Sequence, residues 1–218
     1  MSANDLIESL WRATKETLIM VGISSSIAIL LGTIIGIILY ITANPLLNKN
    51  KTINIVSGII INVIRSIPFI ILLVLLVPVT NKLVGSTTGP VAASVPLTVA
   101  SIAFFARLME GALAEIDQGV IEASTAMGAN LIEIIFNVLL VEALPGMIRA
   151  ITVTLISIIG FSAMAGTVGG GGVGDLAIRF GYYRYETEVM FITVALLIIV
   201  VQVIQGFGEK LAVVLTKK

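Results

Sequence analysis

The amino-acid sequence predicts an all-α, polytopic membrane protein with about five transmembrane helices. Of its 218 residues, 57% are hydrophobic and 12% are charged, whereas soluble domains carry roughly a quarter charged residues. The mean hydropathy is +1.10. Because each span needs about 20 apolar residues, five spans leave no room for a separate soluble domain. Residues 1–218 are therefore predicted to form a single transmembrane domain.

The first predicted elements are an N-terminal helix at residues 1–16 and a span at residues 17–42. The N-terminal segment places apolar and charged side chains on different helix faces, which favours a helix in the membrane interface. The alternative is that this N-terminal segment is a leader with no structural role. No charged residue occurs within residues 17–42, and Gly32 with Gly36 forms a small-residue pair that lets another helix approach closely.

Four further apolar segments follow a short polar turn at Asn44–Asn54. Their predicted bounds are residues 55–79, 90–106, 143–165 and 189–206. A glycine-rich connection precedes the last of them, and Asp175 is predicted to cap a short helix there.

The longest polar segment, residues 111–142, lies between the third and fourth predicted spans. Asp117 is expected to cap a helix that starts near Gln118, and Gly128 is expected to end that helix in a left-handed conformation. Asn130 and Glu133 then have the spacing of a capping box for a second helix. We call the first of these the docking helix, because its small side chains allow another protein to approach closely. Those small residues are Ala123, Ser124 and Ala126, beside the single carboxylate of Glu122 and the larger Met127.

The order Glu122-Ala123-Ser124, followed after three residues by Gly128, resembles the EAA loop of bacterial ABC importer permeases. Ser124 replaces the second alanine of that motif, and Val141 stands where the motif has a proline. Several longer phrases are similar to the methionine-import branch of the family. They are Arg65–Leu73, Val95–Val99, Ala126–Ala129, Glu142–Gly146 and Ser162–Gly166.

The resemblance implies a type I importer permease with a cytoplasmic coupling helix, which docks through Glu122, Ala123, Ser124, Ala126, Met127 and Gly128. It also implies a second copy of the chain, two cytoplasmic ABC ATPase subunits that bind ATP and magnesium, and an external substrate-binding lipoprotein. The expected activity is alternating-access import of methionine, as the L enantiomer or as both. The alternatives are a permease for another amino acid and a small integral-membrane enzyme.

The distribution of acidic residues argues that a partner supplies the energy for transport. None of the thirteen carboxylates lies within a predicted span, and the chain has no histidine. Carriers driven by protons or sodium often hold the coupling ion on an intramembrane carboxylate. The chain also lacks the Gly-x-x-x-x-Gly-Lys-Ser/Thr string of a phosphate-binding loop. We therefore expect no catalytic residue, metal or cofactor in this chain, and a net charge of zero gives no argument for nucleic acid.

Arg65 is the charged residue that lies well inside an apolar segment, next to Ser66 and Pro68. Proline removes a helical hydrogen bond, so a kink is expected there, with the Ile64 carbonyl within reach of the Arg65 guanidinium. An intramembrane charge indicates a function in the pathway or gate. A guanidinium that extends to the membrane surface is an equal alternative. Ser162 and Met164 are the other predicted pathway or gate residues.

The chain is predicted to lie in a bacterial inner membrane, with its N-terminus outside and its C-terminus in the cytoplasm. Lysine and arginine are enriched on cytoplasmic loops, and one side of the predicted topology carries slightly more of them. That side holds Lys49, Lys51, Arg107, Arg149, Lys210, Lys217 and Lys218. The other side holds Arg12, Lys15, Lys82, Arg179 and Arg184.

Overall fold

A computed structural model describes residues 3–216 of the chain, so Lys217 and Lys218 lie outside the described residues. This described part is helical and contains no β-strand. The α-helices are α1 (Ala3–Ala43), α2 (Lys51–Ser66), α3 (Phe69–Leu75), α4 (Val77–Val84), α5 (Pro90–Ala114), α6 (Gln118–Ala126), α7 (Leu131–Ile134), α8 (Leu140–Glu142), α9 (Leu144–Ala165), α10 (Gly172–Leu176) and α11 (Thr187–Thr216). Two π-helical stretches, Ile135–Leu139 and Ala177–Tyr182, join some of them. The segment Gly166–Gly170 after α9 is kinked, with non-helical backbone at Val168 and Gly169.

Four helical segments of the described chain are long and apolar enough to cross a membrane, and they contain α1, α5, α9 and α11. A fifth span results if the bent pair α2 and α3 is counted as one. The predicted all-α fold with about five spans is thereby confirmed.

Helix α1 differs from the predicted division at residue 16, because it continues without a break from Ala3 to Ala43. Leu6 and Leu10 pack against a buried cluster that contains Val173 and Leu176 near the glycine-rich segment. Ile7 and Trp11 remain exposed. The N-terminal residues are thus the first turns of a long helix and are held by protein contacts. Helical periodicity alone does not predict this packing.

Helices α1 and α5 form the most extensive helix contact of the chain. Gly32 and Gly36 lie at this contact, as predicted for a small-residue pair. A Cβ atom added at Gly36 would lie 2.7 Å from the Cβ atom of Met109 and 2.9 Å from the carbonyl oxygen of Ala106. The absent side chains therefore allow the two helices to approach closely.

The predicted span at residues 55–79 is broken at Pro68 into α2 and α3, whose axes differ by 103°. Ile67 is extended, with φ −83° and ψ 122°, because a residue before proline disfavours the helical conformation. The Ile64 carbonyl accepts a hydrogen bond from the Ile67 N–H at 3.3 Å. This carbonyl, which the sequence analysis paired with the Arg65 guanidinium, thus has a backbone donor.

The glycine-rich connection after α9 forms a compact turn in which Gly169, Gly171 and Gly172 have positive φ angles. Asp175 was predicted to cap the following helix, and this prediction is wrong, since Asp175 lies inside α10 and Gly171 is the N-cap residue. The Asp175 carboxylate instead pairs with Arg179 at 3.0 Å, one turn further on.

The helices create two distinct ends of the bundle. At one, which we call the docking end, a buried cluster joins Tyr40 of α1, Leu113 of α5 and Ala143 before α9 to the docking helix. At the other, the far end, the N-terminal half of α1 meets the glycine-rich turn through a hydrogen bond from the Gly172 N–H to Glu16. A long helix thus connects the two ends.

Candidate functional site

The docking helix is α6, and its local signals are confirmed by the structure. The Asp117 carboxylate accepts a hydrogen bond from the Gly119 N–H at 2.8 Å, which satisfies a free donor in the first turn. Gly128 follows the helix with a φ of +86°. Only glycine adopts this conformation without steric cost, so the chain reverses direction at this residue.

The segment after Gly128 is held by the predicted capping box. The Glu133 N–H donates to the Asn130 side chain at 3.0 Å, and the Asn130 N–H donates to the Glu133 carboxylate at 2.8 Å. The π-helical stretch and α8 then lead to α9, with Val141 exposed in α8. The docking helix is thereby flanked by stable turns on both sides.

Residues of the docking helix divide between a buried and an exposed face. Ile121 is fully buried in the cluster with Ile134 and Leu139. Ser124 is also buried, and its hydroxyl donates to the Val120 carbonyl at 2.7 Å. Of the six predicted docking residues, the five that are exposed are Glu122, Ala123, Ala126, Met127 and Gly128. The exposed face carries small side chains, one carboxylate and one flexible thioether, Met127.

A polar network that sequence reasoning missed fixes the start of the docking helix to α1. The Asn44 amide donates to the Gln118 side chain at 3.0 Å and to the Tyr40 hydroxyl at 3.1 Å. Gln118 also donates to the Tyr40 hydroxyl at 3.3 Å. Displacing the docking helix therefore requires breaking the part-buried hydrogen bonds that Gln118 makes with Asn44 and Tyr40.

A second missed contact joins α2 to α5. The predicted third span ends at residue 106, but α5 continues to Ala114 and so contains Arg107. Its guanidinium donates to the Asn62 side chain at 3.1 Å and to the Gly58 carbonyl at 3.4 Å. Arg107 also pairs with Glu110. The Arg107 side chain therefore connects α2 by hydrogen bonds to α5, the helix that leads to the docking end.

The five predicted pathway or gate residues lie in two separate segments. Arg65, Ser66 and Pro68 are exposed around the bend between α2 and α3. Ser162 is buried in α9 and donates to the Ile159 carbonyl, while Met164 is 48% exposed. The two segments meet beside these residues, where the Phe69 and Phe161 rings stack at 4.9 Å.

The described residues hold no group of three or more Asp or Glu side chains placed to bind a metal ion. The exposed face of the docking helix lies over buried contacts that Ile121 makes with the bundle.

Comparison with known proteins agrees with this geometry. Residues 17–207 match the protein family described as "Binding-protein-dependent transport system inner membrane component". The chain is 47% identical over 199 residues to the "Probable D-methionine transport system permease protein MetI" of Vibrio cholerae serotype O1, covering 91% of this chain and 88% of that protein. It is 44% identical over 214 residues to the "Methionine import system permease protein MetP" of Bacillus subtilis, covering 98% and 96% of the two chains.

A solved structure is similar over almost the whole length. A chain of the MetNI methionine ABC transporter, described in inward-facing conformations, superimposes with a TM-score of 0.95. The sequence identity is 43%, and the alignment covers 99% of each chain.

Proposed function

We propose a function from this premise: the chain belongs to the family of binding-protein-dependent transport system inner membrane components. In this proposal it is the transmembrane permease subunit of an ATP-driven methionine importer. It is a transport subunit, and ATP hydrolysis belongs to a partner ATPase. The relatives that carry this inference are named as methionine or D-methionine transport permeases.

The observation that carries the mechanism is the docking helix, exposed on one face and anchored on the other. Ile121 and Ser124 hold it in the bundle, while Glu122, Ala123 and Met127 face outward. In the proposed complex these outward residues contact the ATPase, which binds ATP and magnesium. Closure of an ATPase dimer then moves the docking helix and, through Asn44, the long helix α1.

The proposed assembly contains two permease chains, two ATPase subunits and an external substrate-binding lipoprotein. Most apolar side chains of helix α11 are exposed in the single chain, which leaves this face open to a second copy. Such a surface is covered in a membrane by lipid or by another helix. The pathway residues proposed above, Arg65, Ser66, Pro68, Ser162 and Met164, are assigned to the enclosed route in this assembly.

The decisive experiment is reconstitution of this chain with its ATPase and binding protein in proteoliposomes, followed by ATP-dependent uptake of a panel of amino acids. Saturable uptake of methionine is expected, with competition between enantiomers to define stereospecificity. Uptake of a different amino acid, without uptake of methionine, would show that this other amino acid is the substrate. Uptake without the ATPase, or hydrolysis of a lipid or peptide by the purified chain, would contradict an ABC permease.

The proposed orientation places the docking end in the cytoplasm and the far end outside, with the N-terminus outside and the C-terminus inside. The chain contains no cysteine, so single cysteines provide unambiguous reporters. In intact cells, a membrane-impermeant maleimide is expected to label Ser86→Cys near the far end. It is expected to leave Asn48→Cys at the docking end unlabelled until the membrane is opened, and the reverse pattern would invert the topology.

A further inference from the structure

A cavity of about 550 Å³ lies at the far end, opposite the docking helix. It forms where the N-terminal half of α1 meets the glycine-rich turn and α10. Four charged side chains line it: Arg12, Glu16, Asp175 and Arg179. The cavity therefore has two positive and two negative groups, contributed by segments far apart in the sequence.

The two carboxylates are fixed in the cavity wall. Glu16 pairs with Arg12 at 3.0 Å and accepts a hydrogen bond from the Gly172 N–H at 2.8 Å. Gly171 allows this approach, since its φ is +78° and an added Cβ atom would lie 2.5 Å from the Glu16 carboxylate. Asp175 pairs with Arg179 at 3.0 Å. Both carboxylate side chains are mostly buried, at 22% and 26% exposed.

The two guanidinium groups are more accessible than the carboxylates. The Arg12 side chain is 83% exposed and the Arg179 side chain is 59% exposed. A guanidinium carries five N–H donors, and its ion pair with one carboxylate leaves donors free to bind another oxyanion. The cavity thus offers unused donors at its mouth and carboxylates in its wall.

The charged form of the Asp175 carboxylate is disfavoured in the wall, chiefly because the group is partly removed from water. Burial raises the pKa of Asp175, and the neighbouring Glu16 raises it further, although Arg179 and Arg12 act in the opposite direction. An additional positive group beside Asp175 would stabilise the charged carboxylate. Apolar contact is also available from Ala13, Leu176 and Phe180 in the wall.

We infer that this far-end cavity binds a small zwitterion, whose ammonium group lies beside Asp175 and Glu16 and whose oxyanion contacts Arg12 and Arg179. The balance of charge favours this class, because a simple anion or cation would satisfy one pair of groups only. Two molecules share this chemistry: a free amino acid and the headgroup of phosphatidylethanolamine. With a free amino acid, the inference rests on the proposed transport function and adds a first contact at the outer entrance.

The test uses the whole transporter, purified with its ATPase subunits but without the binding protein. It is placed in nanodiscs made of phosphatidylglycerol alone or with phosphatidylethanolamine added. Equilibrium dialysis measures radiolabelled methionine, leucine and serine, and native mass spectrometry measures retained lipid. Arg12→Gln and Asp175→Asn are compared with Lys15→Gln and Lys82→Gln, two exposed cations that do not line the cavity.

Wild type and both control variants are expected to retain one of the zwitterions. Arg12→Gln and Asp175→Asn are expected to weaken retention about tenfold, since each removes a charge-assisted contact. Arg12 is highly exposed, so Arg12→Gln is expected to keep the fold and assembly, checked by gel filtration and ATP hydrolysis.

Amino-acid binding in pure phosphatidylglycerol supports the amino acid, while selective retention of phosphatidylethanolamine over phosphatidylglycerol supports the lipid. Binding of neither zwitterion by wild type, or equal binding by all five proteins, would overturn the inference. If the proteoliposome experiment above shows no methionine uptake while the cavity still binds a zwitterion, the proposed substrate is refuted and the cavity assignment stands.

Discussion

The side-chain amide of Asn44 donates a hydrogen bond to the side-chain oxygen of Gln118 across 3.0 Å. Asn44 follows the end of α1, and Gln118 is the first residue of the docking helix. The bond is part-buried and belongs to a network with the Tyr40 hydroxyl. It connects the surface proposed to contact an ATPase directly with the longest helix of the chain.

We expect Asn44→Ala to uncouple ATP hydrolysis from uptake. The substitution removes the bonds from Asn44 to Gln118 and Tyr40, each worth about 0.5–1.5 kcal/mol, while Gln118 still donates to the Tyr40 hydroxyl. Uptake per ATP hydrolysed, measured in proteoliposomes, should fall while the complex remains assembled. Asn48→Ala, at an exposed position of the same turn, is the matched control. An unchanged ratio in Asn44→Ala would show that α1 does not transmit the movement.

Gly128→Asp and Ala123→Phe are expected to give an inserted, dimeric protein that loses ATPase association or coupling. At Gly128 no heavy atom lies within 4 Å of an added Cβ atom, but φ is +86°. The expected effect is therefore backbone strain of about 1 kcal/mol or more, without a clash. Ala123 is exposed, so phenylalanine there separates the two protein surfaces without disturbing the core. Pull-down of the ATPase and ATP-driven uptake are measured on the same preparations.

Ala123→Ser keeps a small side chain and serves as the control for Ala123→Phe, with normal pull-down and uptake expected. Gly111→Ala is the control for Gly128→Asp, because Gly111 is in α5 with open space around it. Normal association and transport by both test variants would mean that the docking helix is only an exposed connector.

Gly36→Ala is expected to lower the stability of the purified protein by about 1–3 kcal/mol, through overpacking against Met109 and the Ala106 carbonyl. The backbone carbonyl has little freedom to move, so α1 and α5 must separate. Thermal unfolding in detergent, followed by a thiol-independent dye or by light scattering, reports the change. Gly22→Ala on the same helix has no heavy atom within 4 Å of the added Cβ, and we expect no loss. Equal midpoints for both variants would refute the close contact.

The stability difference between Asp175→Asn and wild type is expected to grow as the pH rises. The folded pKa of Asp175 is raised above the ordinary value of 3.8, chiefly by burial. Its contribution to stability is present in full below pH 3.8 and is lost as the pH rises through the folded pKa. Asparagine resembles the protonated carboxyl group and does not titrate. The thermal midpoints of the two proteins, measured from below pH 3.8 upward, should converge at low pH. At higher pH Asp175→Asn should have the higher midpoint, and a difference that shrinks as the pH rises would contradict the burial effect.

Arg65→Ala is expected to impair transport more than assembly. Arg65 is exposed in the last turn of α2, just before the 103° bend, and an arginine in an apolar segment is retained at a cost in free energy. Uptake is normalised to the amount of assembled complex, with Lys51→Ala in the first turn of the same helix as the control. Normal uptake by a well-expressed Arg65→Ala protein would favour a guanidinium that merely extends to the membrane surface.

The sequence by itself determined the features that depend on a few neighbouring residues. The caps at Asp117 and Asn130, the positive φ at Gly128 and the apolar spans follow from local hydrogen bonding, backbone sterics and hydropathy. The matching phrases around Glu122 also placed the chain in its family. At Pro68 the local rule indicated a kink, but its size, a 103° angle between α2 and α3 with Phe69 stacked on Phe161, is seen only in the structure.

Only the tertiary structure decided which distant polar groups meet. Asn44 and Gln118 are 74 residues apart, and Glu16 and Gly172 are 156 residues apart. Hydrophobic periodicity determines which face of a helix is buried, but it does not determine which polar side chain on the next helix lies opposite. Asp175 illustrates the difference. Its short-range pattern predicted an N-cap, whereas in the structure Gly166 packs closely against the Asp175 backbone and Asp175 lines the far-end cavity. Burial then raises its pKa, because removing a carboxylate from water is costly wherever the surrounding charges compensate it only in part.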